Sequence, residues 1–298
     1  MSTVEVVPTI DVMQKAVCLI LRIGSIGNSR KVSASQIETD ADRDMIRVSK
    51  TLFDTDELKN IQSLDGEIRR FVMTRGLPSL FRSGAYLIPN LLVTEVDNRL
   101  KEYYLKRKEL VEKFMEVYPA QVEIAKSRLG SLFDPRDYPM AEEVRASFTV
   151  DWQYVNMGIP GNLEGINADI FRREQEKQAE RWQETMDEVQ QVLRGAMSEL
   201  VTHLVTRLTP DEEGKQKIFR NSLLENMRDF LNTFDARNIT NDEELAKLVQ
   251  KARDLTEGID PDVLRKNSVI RDVVRKGFEQ IKSSVDTMIV NKPRRIIE

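Results

Sequence analysis

Apolar side chains recur along much of this chain at helical spacing. The longest regular stripe is Val93, Val96, Leu100, Tyr104, Arg107, Val111, Phe114, Tyr118, Val122, Ala125 and Leu129. Its ten steps cover 36 residues, the period of a straight helix and not the shorter period of a supercoiled heptad seam. Arg107 is the one polar entry. Pro119 has no N–H to give the carbonyl of Met115, so a bend is expected there. Gly130 and Pro135 end the element. A second long helix is predicted from about Ile166 to Leu208. Its opening, FRREQEKQAER, is almost wholly polar. Only its later part carries a stripe: Trp182, Met186, Val189, Val192, Leu193, Ala196, Leu200, Leu204 and Leu208.

Shorter elements surround these two. Asp54 or Thr55 can cap a helix reaching about Thr74, with Leu58, Ile61, Leu64, Ile68, Phe71 and Val72 on its buried face. GLPSLFRSGAYLIP then reads as a loop rich in apolar residues, and 33–54 as polar chain with a helical turn near Asp42–Val48. Thr209-Pro210-Asp211-Glu212 and Thr240-Asn241-Asp242-Glu243 have the form of capping boxes, each expected to open a helix. The first would bury Phe219, Leu223, Met227, Phe230 and Phe234, the second Leu245, Leu248, Ala252 and Leu255. Asp260-Pro261 opens the last helix, with Ile270, Val274, Phe278, Ile281, Val285 and Met288 inside.

Two segments alternate instead. KAVCLILRIGSIGNSRKV reads as a strand bent at Gly24 and Gly27, and FTVDWQYV puts Phe148, Val150, Trp152 and Tyr154 on one face. Pairing the two is the economical arrangement, and a two-stranded ribbon must then pack on helices. The predicted fold is mainly α: an elongated bundle with two long helices and a small antiparallel β-ribbon. MGIPGNLEG is the natural hinge. It divides a strand–helix–long helix–strand region, 1–160, from an all-helical region, 161–298, unless the whole is one continuous elongated domain.

Composition narrows the chemistry. The chain has 298 residues, with 45 Lys and Arg against 49 Asp and Glu, and a mass of 34.4 kDa. One His203 and one Cys18 cannot form a Cys/His zinc site or an internal disulfide. His203 sits in a helical stripe and Cys18 in an apolar strand, neither with a nameable activating partner. No apolar run approaches the roughly 20 residues of a membrane span, and the N-terminus lacks the basic start of a signal peptide. These features predict a soluble, cytoplasmic protein with no membrane association.

Four constellations merit weighing. Asp40, Asp42 and Asp44 begin like a calcium loop, but the required Gly and Glu positions hold Met45 and Thr51, so a solvated acidic turn fits better. Gly24-Ser25-Ile26-Gly27 lacks the ending of a phosphate loop and reads as a bend. Asp134, Asp137, Glu142 and Glu143 could hold a hard cation. Turn formation beside Pro135 and Pro139 and charge at a helix start explain them better. The cations are more suggestive. Arg69, Arg70, Arg75 and Arg82 lie close in sequence. Residues 265–298 hold nine cations, among them Arg271, Arg275 and Lys276, against four carboxylates. That +5 leaves −9 on the remaining residues, a segregation suited to phosphates or an acidic partner.

The strand VCLILRIGSIGNSRKV, the segments VSKTLFD and FRSGAYLIP, and SLFDPRDYP before AEEVRASFTVDWQYV resemble, in order and pattern, an uncharacterised domain-of-unknown-function family of phages and integrative mobile elements. Its members are often encoded beside MoxR-type AAA+ ATPases, von Willebrand-type proteins or recombination genes. The resemblance covers about residues 15–160 and implies a protein partner, with no catalytic residues to transfer. The leading expectation is therefore a non-enzymatic interaction or scaffold protein, with an AAA+ ATPase as candidate partner, self-association open and no cofactor. A nucleic-acid-binding accessory factor in recombination or replication, using Arg69–Arg82 and the C-terminal cations, is the first alternative. A carboxylate-only metal-dependent hydrolase is the second.

Overall fold

The computed structural model describes residues 14–79, 84–156 and 158–289. Among them are five strands and nine α-helices, so the chain is mainly helical with small antiparallel sheets. It divides into two compact units. A mixed unit contains Leu19–Thr74 and Val93–Tyr154; the remainder forms a helical unit.

The mixed unit is built on two helices, α1 (Asp56–Arg75, its last residue beyond the division) and α2 (Val93–Leu129). Thr55 caps α1: its hydroxyl accepts the Leu58 N–H. Leu58, Ile61, Leu64, Ile68 and Val72 are buried as the spacing predicts. Phe71 is only half-buried. In α2 the stripe runs through Val96, Leu100, Tyr103, Arg107, Val111, Phe114 and Tyr118. Tyr103, not Tyr104, takes the buried place, and Tyr104 is 44 % exposed. Adjacent tyrosines three and four residues after Leu100 are equivalent in pattern; the Tyr103 hydroxyl decides, donating to Glu67 at 3.0 Å. Helical geometry continues through Pro119. Phe53, Phe114, Tyr118 and Tyr138 pack edge-on or tilted at the centre of this core.

Strand β1 (Ala16–Ile23) neighbours β5 (Val150–Val155), the pairing the alternation predicted. Gly24 and Thr149 exchange both backbone bonds at 2.8 and 3.2 Å just past the strand ends. The inward face of β5 holds at Val150 and Trp152 but fails at Tyr154, which is exposed. The indole N–H of Trp152 donates to Asp97. A second ribbon pairs β2 (Ser29–Val32) with β3 (Val48–Thr51), Arg30 opposite Lys50. Sequence reading missed β3, since four residues cannot establish a period. The turn expected at Asp42–Val48 is a short 3-10 turn at Arg43–Met45. Helix α3 (Ala141–Ser147) follows two more 3-10 turns.

Gly24 marks a close approach. A Cβ there would lie 2.5 Å from Thr149 Oγ1 and 2.9 Å from the Ser147 carbonyl oxygen, which is backbone and cannot swing away. Gly24→Ala is therefore expected to destabilise the mixed unit by about 1–3 kcal/mol, read as a lower midpoint in urea unfolding.

The helical unit corrects several expectations. The supposed loop after α1 contains β4 (Ala85–Pro89), beside the opening of β1. Leu77 and Leu87 form a reciprocal backbone bridge, and their burial with Ile88 accounts for the apolar content. Second, after α4 (Asn162–Ile166) and α5 (Ala168–Leu208), the Thr209–Glu212 box opens no helix. Thr209 ends α5, and the Asp211 carboxylate accepts N–H groups from Glu213 and Lys215 in a turn closed by Gly214, at φ +77°. Helix α6 (Asn221–Arg237) starts later. Third, the last predicted helix is two, α8 (Pro261–Lys266) and α9 (Ser268–Met288), split at Asn267, whose side chain caps α9. Asp260 caps α8 as expected. In α7 (Glu243–Thr256) the cap is Asp242 and not Thr240. Helix α5 buries Met197 and Val201 where Ala196 and Leu200 were expected, and α9 packs against α5 and α7.

Candidate functional site

In the helical unit α5 has two unlike parts. Asn167 caps it, accepting the N–H groups of Asp169 and Ile170. Its buried side chains begin at Trp182, so the first fourteen residues, Ala168–Arg181, bury none. At the helical rise of 1.5 Å per residue that is about 21 Å of helix. Charges along it pair locally: Arg172 with Asp169, Arg173 and Lys177 with Glu174. Lys177 holds the Glu174 carboxyl below its ordinary range. Ile166 (73 % exposed) and Ile170 stand uncovered at its start.

The basic residues fall into different situations. Arg69 and Arg70 are exposed on α1, and no ion pair holds them among the described residues. Arg75 grips Asp229 through two hydrogen bonds of 2.7 and 2.8 Å. Arg82 lies outside the described residues, as does the KPRR tail. Arg271 is buried: its guanidinium donates to the carbonyls of Leu264 and Arg265, closing the end of α8. Arg275 pairs with Asp272 and Glu279, and Lys276 with Asp272, whose carboxyl these cations hold low, Lys276 foremost. Arg271, Arg275 and Lys276 thus meet carboxylates and carbonyls of their own unit, while Lys266 is exposed. His203 is exposed. Cys18 is fully buried, and burial pushes its thiol pKa up.

The carboxylates singled out in the sequence are not gathered at one point. Asp134 accepts from the Arg136 guanidinium and then from its backbone N–H, which brings its pKa down to about 2. Asp137 turns the other way, 2.7 Å from Lys50 Nζ and 3.5 Å from Arg30 Nε. Glu142 and Glu143 stand exposed in the first turn of α3. Among the described residues no three His, Cys, Asp or Glu side chains form a group able to hold a metal ion. Asp42 accepts the Asp44 N–H in the exposed acidic turn. In the Gly24–Gly27 bend Ile26 is buried and the Gly27 carbonyl accepts from Arg30.

Around Asp137 lies a polar cavity of about 500 Å³ in the mixed unit, between the β2–β3 ribbon and the Ser131–Asp137 turns. Arg30, Lys50 and Arg136 line it. Sequence reading found its carboxylates and missed its cations. Their signal was present: in SRKV and VSKT, alternation places Arg30 with Val32 and Lys50 with Val48 on the inward face. A smaller cleft is lined by Tyr104, Val111, Phe148 and Val150.

No curated protein and no solved structure matches this chain. No described helix is long and apolar enough to cross a membrane. One family model, described as a protein of unknown function (DUF3150), matches residues 13–236.

Proposed function

The chain belongs to the DUF3150 family, and on that premise we propose that it is a non-enzymatic interaction protein that engages a partner protein through the exposed opening of α5. The carrying observation is the segment Ala168–Arg181, a regular helix that buries no side chain although the same helix is packed from Trp182 onward. A polar helix face needs either internal pairing or a partner for its order. The local ion pairs here are solvent-exposed and contribute little to its order. Ile166 and Ile170 give a partner two apolar anchors beside alternating charge. The sequence resemblance to a phage and mobile-element family supports an AAA+ ATPase encoded nearby as that partner.

The test is co-purification of the full-length chain from its native host after nuclease treatment, with the AAA+ ATPase identified by mass spectrometry. The expected result is retention of the ATPase, reduced about tenfold or more in a chain carrying Ile170→Asp and Arg172→Glu, as for a disrupted interface centre. Far-UV circular dichroism should remain unchanged. Equal retention by both chains, or recovery of no ATPase, would remove the proposal's support. Loss of the ATPase on nuclease treatment would replace it with a nucleic-acid bridge.

A further inference from the structure

The polar cavity beside β2 and β3 contains an electrostatic arrangement that interaction through α5 does not use. Arg30 and Lys50 are directly opposite in the ribbon register and both face inward. Like charges at opposed positions destabilise a ribbon. The Lys50 side chain is only 8 % exposed, so water screens it poorly. Asp137 is placed between the two cations and relieves the conflict, at 2.7 Å from one and 3.5 Å from the other. One carboxylate between two cations still leaves an excess positive charge. Arg136, bound to Asp134, stands exposed on the same lining.

Donor capacity also remains. Lys50 directs its ammonium to Asp137 and to the Leu132 carbonyl, which occupies two of its three N–H groups. Arg30 uses Nη1 on the Gly27 and Ser29 carbonyls and Nε toward Asp137, leaving Nη2 unused among the described residues. Arg136 binds Asp134 through Nε and Nη2 and keeps Nη1. Hydroxyl-bearing Ser33 and Ser131 stand on the lining. Ligand pockets for drug-like molecules are mostly apolar and of about 300–1,000 Å³. This one has the size and an opposite lining, which suits a small hydrophilic anion with several oxygens.

We propose that this cavity binds the phosphoryl group of a small phosphorylated molecule, with Arg30, Lys50 and Arg136 as its donors and Asp137 as the internal anion that the ligand displaces or joins. Forked guanidinium donors match phosphate oxygens, and an ammionium supplies a point charge. The site is an open cleft between one ribbon and one loop, with its donors gathered around Asp137 and not strung along a groove.

The full-length chain would be titrated with inorganic phosphate, pyrophosphate and a nucleoside triphosphate, following heat of binding and the thermal midpoint. A 20-nucleotide single strand is the competitor arm. Saturable binding of pyrophosphate is expected, weakened at least tenfold by Arg136→Gln and by Arg30→Gln. Both act at half- or fully exposed residues and spare the buried Lys50. Asp137→Asn should act in the opposite sense: it removes the competing carboxylate, so the anion should bind about tenfold tighter and raise the midpoint more than in the parent chain. Binding of phosphate and pyrophosphate alone would identify free phosphate as the ligand source; preference for the triphosphate would identify a phosphate ester. No saturable binding, binding unchanged in both arginine variants, or weaker binding in Asp137→Asn would overturn the proposal. So would oligonucleotide binding that pyrophosphate does not compete away.

Discussion

Arg107→Met is expected to lower the stability of the mixed unit by about 3–5 kcal/mol, because it strands a buried carboxylate. Arg107 donates through Nε to Asp65 Oδ1 at 2.6 Å and through Nη2 to Asp65 Oδ2 at 3.1 Å. Nη2 also reaches the Gly24 carbonyl at 2.7 Å. The two side chains are 3 % and 6 % exposed, and the guanidinium carbon lies 5.6 Å from the Phe148 ring. One contact set therefore ties α1, α2 and the end of β1 together. Burying two charges roughly cancels their attraction, so the intact pair contributes little net stability, while either charge left alone carries its whole desolvation cost. The double variant Arg107→Met with Asp65→Leu should consequently recover most of the loss. A residual deficit of at most about 1 kcal/mol is expected at the Gly24 carbonyl, which would lose the Arg107 donor and keep the Thr149 N–H. Urea denaturation of the four chains gives the coupling directly. A single-variant loss under about 1 kcal/mol would show that water reaches the pair.

That ion pair also shows what the sequence disclosed. Arg107 was visible as the one polar member of an apolar stripe. Asp65 lies four residues after Ile61 and three before Ile68, so it too occupies an inward position. One base and one acid in two adjacent stripes is a legible signal for a buried pair, but the choice of partner is made in three dimensions. Long periodic segments fared best: α2 runs from Val93 to Leu129 as its spacing required. Local capping chemistry was less decisive. The box at Thr240 marks a real helix, with Asp242 as cap, whereas the box at Thr209 yields a turn because α5 continues to Leu208 and Asp211 is used differently. A four-residue motif states a preference that the surrounding chain can outbid.

The charge arithmetic needed the same revision. The sequence shows an excess of positive charge in the last 34 residues. In the structure Arg265 is held by Asp262, Asn221 and the Phe219 carbonyl, and Lys282 by Asp286. Arg271 serves the end of α8. A sum over residues counts such cations as available, whereas an external anion would have to compete with their existing partners. The Arg30–Lys50 cavity lies in a segment that no charge total singles out, and there the opposed cations keep unused donors.

Arg237→Met should act in the reverse sense to Arg107→Met, raising the stability of the helical unit by about 1–3 kcal/mol. Arg237 is 5 % exposed in the last turn of α6, and its Nε has no hydrogen-bond partner among the described residues. The guanidinium carbon lies 5.8 Å from the Phe230 ring. Burial, reinforced by the neighbouring positive charge of Arg75 and only partly offset by Asp229, brings its pKa down to about 10. At roughly 1.4 kcal/mol per pKa unit, holding this charge inside costs on the order of 3 kcal/mol. The unfolded chain binds this proton more tightly than the folded one. The cost is therefore constant below about pH 10, and the group's contribution rises as pH climbs above that. Methionine has a similar length and no charge to desolvate, so the gain should appear in full at neutral pH as a higher thermal and urea midpoint. Asp229→Asn supplies the check. It removes a carboxylate that Arg75 grips and that partly offsets Arg237, and should cost more in the parent chain than in the Arg237→Met background. If Arg237→Met instead destabilises the unit by more than about 1 kcal/mol, packing or a polar partner of the guanidinium outweighs its desolvation.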